Sequence, residues 1–168
     1  MNRKRRLNAV NDEELIRAYL AAHYLPLDRE DLRLRVGHRA RAVEIQEPRV
    51  GSFCLITACN PSSRMLTDAE NERLQAQLTS HLRARGKRWI DATGCDATRS
   101  WTEPSLLVGD LGLDDADALA CRFDQNAILH WQRGRAVRLR LYGARWETAL
   151  RTARVDTRFV ESVACAPP

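Results

Sequence analysis

Phe53-Cys54-Leu55-Ile56-Thr57-Ala58-Cys59-Asn60-Pro61-Ser62-Ser63 is the stretch whose reading decides the fold. Its first six residues are apolar on both parities, which predicts a strand covered on both faces and central in its sheet. Asn60-Pro61 is a turn starter, because Asn bonds its own backbone and Pro fixes the next φ. Thr67-Asp68-Ala69-Glu70 then has the spacing of a capping box. A helix should follow to about Arg85, where Gly86 is a natural stop. A strand, a tight turn and a helix start in this order gather Thr57, Asn60, Ser62, Ser63 and Arg64 at the C-terminal end of the strand. In open α/β sheets that edge is where ligands bind.

Working outward, residues 1–9 read as a basic, mobile arm carrying Arg3, Lys4, Arg5 and Arg6. Asn11 is placed to cap a helix reaching about Ala22, with Glu14 at the third helical position and an apolar stripe of Leu15, Ile16, Tyr19 and Leu20. Leu32 to Val36 alternates strictly and predicts a half-buried strand. Ala42 to Gln46 is expected as a further short strand. In the helix after the central turn, Leu74, Leu78 and Leu82 form the core stripe, and Asn71 falls on the same face. Lys87 to Ala92 reads as a strand and Thr93 to Ser100 as a polar loop. Pro104 to Val108 is the next strand, and Leu113 to Phe123 a short helix with Asp114 and Asp115 at its positive end. Ala127–Trp131 and Ala136–Tyr142 form a hairpin across Arg133-Gly134, with Val137, Leu139 and Leu141 facing in and Arg138 and Arg140 facing out. A helix is expected around Trp146 to Arg154. The pattern predicts a single α/β to α+β domain, a mixed sheet of about five or six strands with two or three packed helices. The domain should span residues 11–143, followed by a C-terminal helix and tail over 144–168.

A chain of 168 residues is long enough to bury a core without a metal or disulfide staple. No apolar run approaches the ~20 residues of a membrane span, and no apolar segment follows the basic N-terminus as a secretory signal would require. A cytoplasmic location and no membrane partner are therefore expected. The cysteines, Cys54, Cys59, Cys95, Cys121 and Cys165, are odd in number and lack zinc-type spacing, so they read as small hydrophobes. The histidines His23, His38, His81 and His130 show no metal spacing, and no metal site is expected. Net charge is +5, yet the arginines are interleaved with acids. That favours a solvated surface over a nucleic-acid face. No P-loop, G-x-G-x-x-G or G-x-S-x-G occurs.

Three segments carry candidate chemistry. The Thr57–Arg64 turn combines amides, hydroxyls and a guanidinium beside a helix start, which suits a polar or anionic ligand; equally, Asn60 and Ser62 could serve only to organise the turn. In Trp101-Thr102-Glu103-Pro104-Ser105, a carboxylate enters the sheet beside an indole. Such a group can have a raised pKa and act as acid or base, or it can hold a loop through backbone N–H groups. Gln125 and Asn126 lie between a helix and a strand, where amides read a ligand or satisfy element ends.

Taken together, Ile56-Thr57-Ala58-Cys59-Asn60-Pro61, Glu70-Asn71, Trp101-Thr102-Glu103-Pro104-Ser105 and Phe123-Asp124-Gln125-Asn126-Ala127-Ile128 resemble a bacterial family, the domain of unknown function numbered 3293. That family typically carries an I-T-A-W-N-P turn, an E-N helix start, a W-x-E segment and an F-x-Q-x-A-I segment. The resemblance covers roughly residues 15–135, with Cys59 standing where the family usually has tryptophan. It implies that Thr57, Asn60, Pro61, Asn71, Trp101, Glu103 and Gln125 belong to a recurring pattern, and it implies no activity or cofactor.

Asn60, Asn71, Glu103 and Gln125 are expected to converge on one pocket, and the distance between Asn60 and Glu103 tests this. Three functions follow from the sequence. The first is a module binding a small polar or anionic molecule through Thr57, Asn60, Ser62, Arg64, Asn71, Trp101, Gln125 and Asn126. The second is an enzyme with Glu103 as catalytic acid or base. The third is a nucleic-acid or protein adaptor using the arginine-rich surface, whose binding would weaken steeply with salt.

Overall fold

The strand that the apolar run predicts is Ser52–Ile56, and it lies at the centre of a seven-stranded sheet. The computed structural model describes residues 11–165. The basic arm expected at the N-terminus lies outside them. Chain order is α1 (Asp12–Ala21), β1 (His23–Pro26), α2 (Arg41–Gln46), β2 (Ser52–Ile56), α3 (Asp68–Ala84), β3 (Trp89–Cys95), β4 (Thr102–Gly109), α4 (Leu113–Arg122), β5 (Ala127–Gln132), β6 (Arg138–Tyr142), α5 (Arg145–Thr152) and β7 (Val160–Val163). The strands stand in the order β1-β3-β4-β2-β5-β6-β7. All neighbours pair antiparallel except β6 and β7, so the sheet is mixed and the class is α+β.

Register explains the two-sided burial of β2. Leu55 stands opposite Leu107 of β4 and Leu129 of β5, and all three enter one core layer beneath α1, α2 and α5. Cys54 and Ile56 point the other way, into a second layer with Leu78 and Leu82 of α3 and Leu119 of α4. A single-residue slip would exchange these faces, which is what pins the register. Both expected capping boxes are present: Asn11 with Glu14 opens α1, and Thr67 with Glu70 opens α3. No helix among the described residues is long and apolar enough to cross a membrane.

Several expectations need correction. Among the described residues, seven strands and five α-helices exceed the five or six strands and two or three helices expected. The additions are the short edge strands β1 and β7 and the six-residue α2. Leu32–Val36 is not a strand: a 3-10 turn covers Glu30–Leu32, and Leu34 and Val36 make only single bridges, to Tyr24 and Val137. Its alternation is real, because Leu32 and Leu34 are buried, but no neighbour offers it a ladder. Ala42–Gln46 belongs to a helix, which buries Val43 and Glu44 and leaves Ile45 outside. The Glu44 carboxylate accepts from the Gly134 N–H at 3.0 Å and from Arg39 at 2.9 Å, which ties the helix to the β5–β6 turn. The Thr93–Ser100 loop is shorter than expected, since β3 runs on to Cys95. Arg140 does not face solvent; α4 covers it, and only 13% of its side chain is exposed. Finally, Cys121 and Cys165 form a disulfide across 44 residues, with Cα atoms 5.7 Å apart. Pairs so distant in sequence leave no spacing signature. Cys54, Cys59 and Cys95 are free and buried.

Candidate functional site

The chain leaves β2 through a turn held from three sides. The Thr57 hydroxyl donates to the Pro104 carbonyl at 2.7 Å and accepts from the Cys59 N–H at 3.0 Å. Gln75, from α3, accepts from the Ala58 N–H at 3.0 Å. Asn60, Ser62 and Ser63 all have positive φ, at 47°, 51° and 58°. Asn tolerates this region; two serines in it mark a strained turn that its surroundings must hold.

Asn60 is the centre of that support. Its N–H donates to Asn71 Oδ1 at 2.8 Å, and its own Oδ1 accepts from Asn71 Nδ2 and the Leu66 N–H, both at 3.0 Å. Its remaining amide donor, Nδ2, reaches Glu103 Oε1 at 2.8 Å. Asn71 sits in the first turn of α3, so the Thr67–Glu70 capping box that starts this helix also places the residue that holds Asn60.

Glu103 reaches the site because β4 begins at Thr102. In the sheet register Glu103 stands opposite Gly94 of β3, and Gly94 opposite Tyr24 of β1. The three therefore share one face in a row, with an empty place between a phenol and a carboxylate. The Trp101 ring covers that place, 3.7 Å from where a Cβ of Gly94 would lie. Under α1 this opens into a cavity of about 420 Å³, with Ala18, Ala21 and Ala22 as its small-residue roof. The volume falls in the ~300–1,000 Å³ range of small-molecule sites. Burial pushes the Glu103 carboxyl up to about 7, against the lowering effect of the Asn60 bond. Burial likewise raises Tyr19, Tyr24 and Cys59, so these neighbours are neutral at neutral pH. Among the described residues only Oε1 of Glu103 has a hydrogen-bond partner.

At the opposite wall, Gln125 Nε2 donates to the carbonyls of Cys59 at 3.0 Å and Phe123 at 3.2 Å. Asn126 donates to Ser63 Oγ at 2.8 Å and Tyr19 OH at 3.1 Å, and accepts from Arg145 at 2.7 Å. Ser63 and Tyr19 share a further bond of 3.0 Å. This network ties the turn to α1 and α5.

Of the residues named from sequence, Thr57, Asn60, Trp101, Glu103, Gln125 and Asn126 line the cavity. Asn71 stands behind Asn60. Ser62 and Arg64 point elsewhere, both toward Asp124: Ser62 Oγ donates to it at 2.7 Å, and Arg64, 73% exposed, lies 3.7 Å away. Ser63, named with the turn, also lines the cavity; Tyr19, Tyr24, Gly94 and Arg145 complete the surroundings, and sequence reasoning does not single them out as site residues. Tyr19 reads as core in the helical stripe, and nothing local distinguishes Tyr24 or Gly94; only the strand register joins them to Glu103. Cys59, at the position where the resembling pattern has tryptophan, is one of the lining residues.

Residues 56–128 match the family model described as protein of unknown function (DUF3293), the same family that the motifs resemble. The match runs from the end of β2 to the start of β5. It contains Thr57, Asn60, Asn71, Trp101, Glu103 and Gln125, whereas α1, β1 and α5 fall outside it. No curated protein and no solved structure matches the chain.

Proposed function

We propose that this chain, with a DUF3293 match spanning its central strands, binds a small and largely apolar molecule in the cavity beneath α1, with a hydrogen-bond donor of that molecule on Glu103. The observation that carries this reading is the half-buried Glu103 carboxylate, bonded through one oxygen only, in a cavity walled mainly by apolar side chains. An ionised carboxyl accepts through both oxygens, so Glu103 keeps acceptor capacity facing the cavity. A donor on a bound molecule would complete it, and the apolar body would cover the alanines of α1. Arg64, the basis for expecting an anion, lies outside the cavity, so a donor-bearing molecule fits better than an anionic one. A thermal-shift screen of small donor-bearing compounds tests the reading. A ligand at a hundred times its dissociation constant adds about 2.7 kcal/mol of stability. Gly94→Leu, which fills the place between Tyr24 and Glu103, should abolish the shift. If no compound stabilises the protein, or if Gly94→Leu binds as the wild type does, the reading fails.

A second reading is favoured by the Glu103 carboxyl lying near 7. A group poised there exchanges a proton efficiently at neutral pH, so Glu103 would act as general acid or base on the bound molecule. Turnover lost in Glu103→Gln while the ligand still binds would support it. Binding without any turnover in the wild type would remove it.

A further inference from the structure

We infer that the molecule taken by this cavity is a cationic amine, held as an ion pair on Glu103 and against the aromatic walls. This rests on the binding reading above and adds the charge of the ligand. Two carboxylates, Glu103 and Asp96, line the cavity, and no Lys, Arg or His does so among the described residues. Asp96 accepts from the hydroxyls of Ser100 and Thr98 and from the Trp101 N–H, which hold it in its ionised form. Arg145, the nearest cation along the Asn126 network, is engaged elsewhere. It donates to Asn126, pairs with Asp12 at 3.6 Å and lies over the Trp146 ring at 4.3 Å.

The walls agree with the charge. Tyr19, Tyr24 and Trp101 all line the cavity, and a cation gains from the faces of such rings, most of all when it is desolvated. The place above Gly94 lies between Tyr24 and Glu103 in the register and beneath Trp101. An ammonium there meets a carboxylate on one side and rings on two others. A metal ion would need three or four converging ligands, and among the described residues no group of three His, Cys, Asp or Glu side chains converges. The groups facing Glu103 are Asn60, Tyr19, Tyr24 and Cys59. All are uncharged at neutral pH, so among the described residues lining the cavity no cation competes for its charge.

The test uses one skeleton with three heads: phenylbutylammonium, phenylbutanol and phenylbutyrate, titrated calorimetrically into the full chain. The ammonium should bind at least about tenfold tighter than the alcohol, and the carboxylate should bind weakest. An alkylammonium keeps its proton up to about pH 10. Its affinity should therefore fall about tenfold between about pH 8 and about pH 6, as Glu103 gains a proton, while that of the alcohol stays level. In Glu103→Gln the preference for the ammonium should fall about tenfold and lose its dependence on pH between about 6 and about 8, with the folded state checked by circular dichroism. If the alcohol or the carboxylate binds as tightly as the ammonium, the inference about charge is overturned and the cavity reading stands. If none of the three binds, both are overturned.

Discussion

Two sets of carboxylates sit against the same sheet and are treated in opposite ways. On the α4 side, Asp117 accepts from Arg140 through two bonds of 2.7 Å and from the Tyr142 hydroxyl at 2.7 Å. Glu161 meets His130 at 2.5 Å and Arg140 at 3.1 Å. Burial alone would push both carboxyls up. The Arg140 and Tyr142 bonds to Asp117, and the His130 and Arg140 bonds to Glu161, outweigh it and bring both below the usual range. On the α1 side, Glu103 has a single amide donor, and burial wins. Glu103 is the most deeply buried of the three, and it also has the fewest donors, none of them charged. The α4 side uses its carboxylates to hold the sheet together, and the α1 side, among the described residues, leaves one without a cation beside a cavity.

The largest expected effect breaks the paired side. Arg140→Ala strips the cation from Asp117 and leaves Glu161 only His130; breaking a fully buried pair costs about 3–5 kcal/mol, and the partial exposure of this cluster lowers the expectation to about 3 kcal/mol. Urea denaturation at neutral pH should show that loss, with ligand affinity at the cavity on the α1 side of the sheet less affected than stability. A loss below about 1 kcal/mol would mean that Arg140 contributes little to stability. Next comes the disulfide, which ties α4 to the segment just after β7, the strand that carries Glu161. Cys121→Ser should cost about 2–4 kcal/mol, since closing a loop of this length restricts the unfolded chain. The denatured but unreduced protein should titrate as three free thiols, Cys54, Cys59 and Cys95; five would show that the bond is not formed.

The unpaired side should respond to pH with the opposite sign. Glu103 has a folded-state pKa of about 7, above the ordinary 4.5. Its contribution to stability is therefore complete below about pH 4.5 and lost as pH rises through about 7. That interval corresponds to roughly 3 kcal/mol at ~1.36 kcal/mol per unit, and partial solvent exposure lowers the expectation to about 2 kcal/mol. Glu103→Gln keeps an acceptor for Asn60 and removes the titration. The variant should be about 2 kcal/mol more stable than the wild type near pH 8 and no more stable near pH 4.5. Asp117 and Glu161 act in the reverse direction: their contribution is present above the ordinary carboxylate range and lost on acidification. A stability difference between Glu103→Gln and the wild type that does not change with pH would erase the contrast between the two regions.

Much of this contrast is legible in the sequence, but unevenly. The two-sided apolar run of β2 announces a central strand, and the capping box at Thr67 places Asn71 near Asn60. These are local signals, carried by residues a few positions apart. Glu103 is marked by its place at a strand entry, and its 2.8 Å bond to Asn60 shows that the two segments meet. Strand register is beyond reach. Tyr24 sits on a four-residue edge strand, too short for a period to show, so the Tyr24–Gly94–Glu103 row cannot be assembled from sequence. Arg140 reads as exposed for a related reason. Alternation along β6 separates its two faces but does not say that α4 covers the second one. The disulfide joins residues 44 apart and is invisible to any argument from spacing.

The smallest expected effect on stability is the sharpest test of what the cavity is for. Gly94 lies within β3, and its φ is outside the left-handed range that favours glycine. No backbone conformation demands glycine there. A Cβ would meet Trp101 at 3.7 Å and Ser105 Oγ at 3.9 Å, both ordinary contacts. Gly94→Ala should therefore leave stability unchanged or raise it by up to about 1 kcal/mol, because alanine restricts the unfolded chain more than glycine does. If the space between Tyr24 and Glu103 serves only as packing, filling it with a methyl group should be neutral or favourable in every measurement. If the space holds a ligand, the same methyl group should weaken binding while the melting temperature holds or rises. Improved stability together with reduced affinity is an outcome that a purely structural glycine cannot produce. Paired thermal melts and titrations of Gly94→Ala against the wild type would detect it.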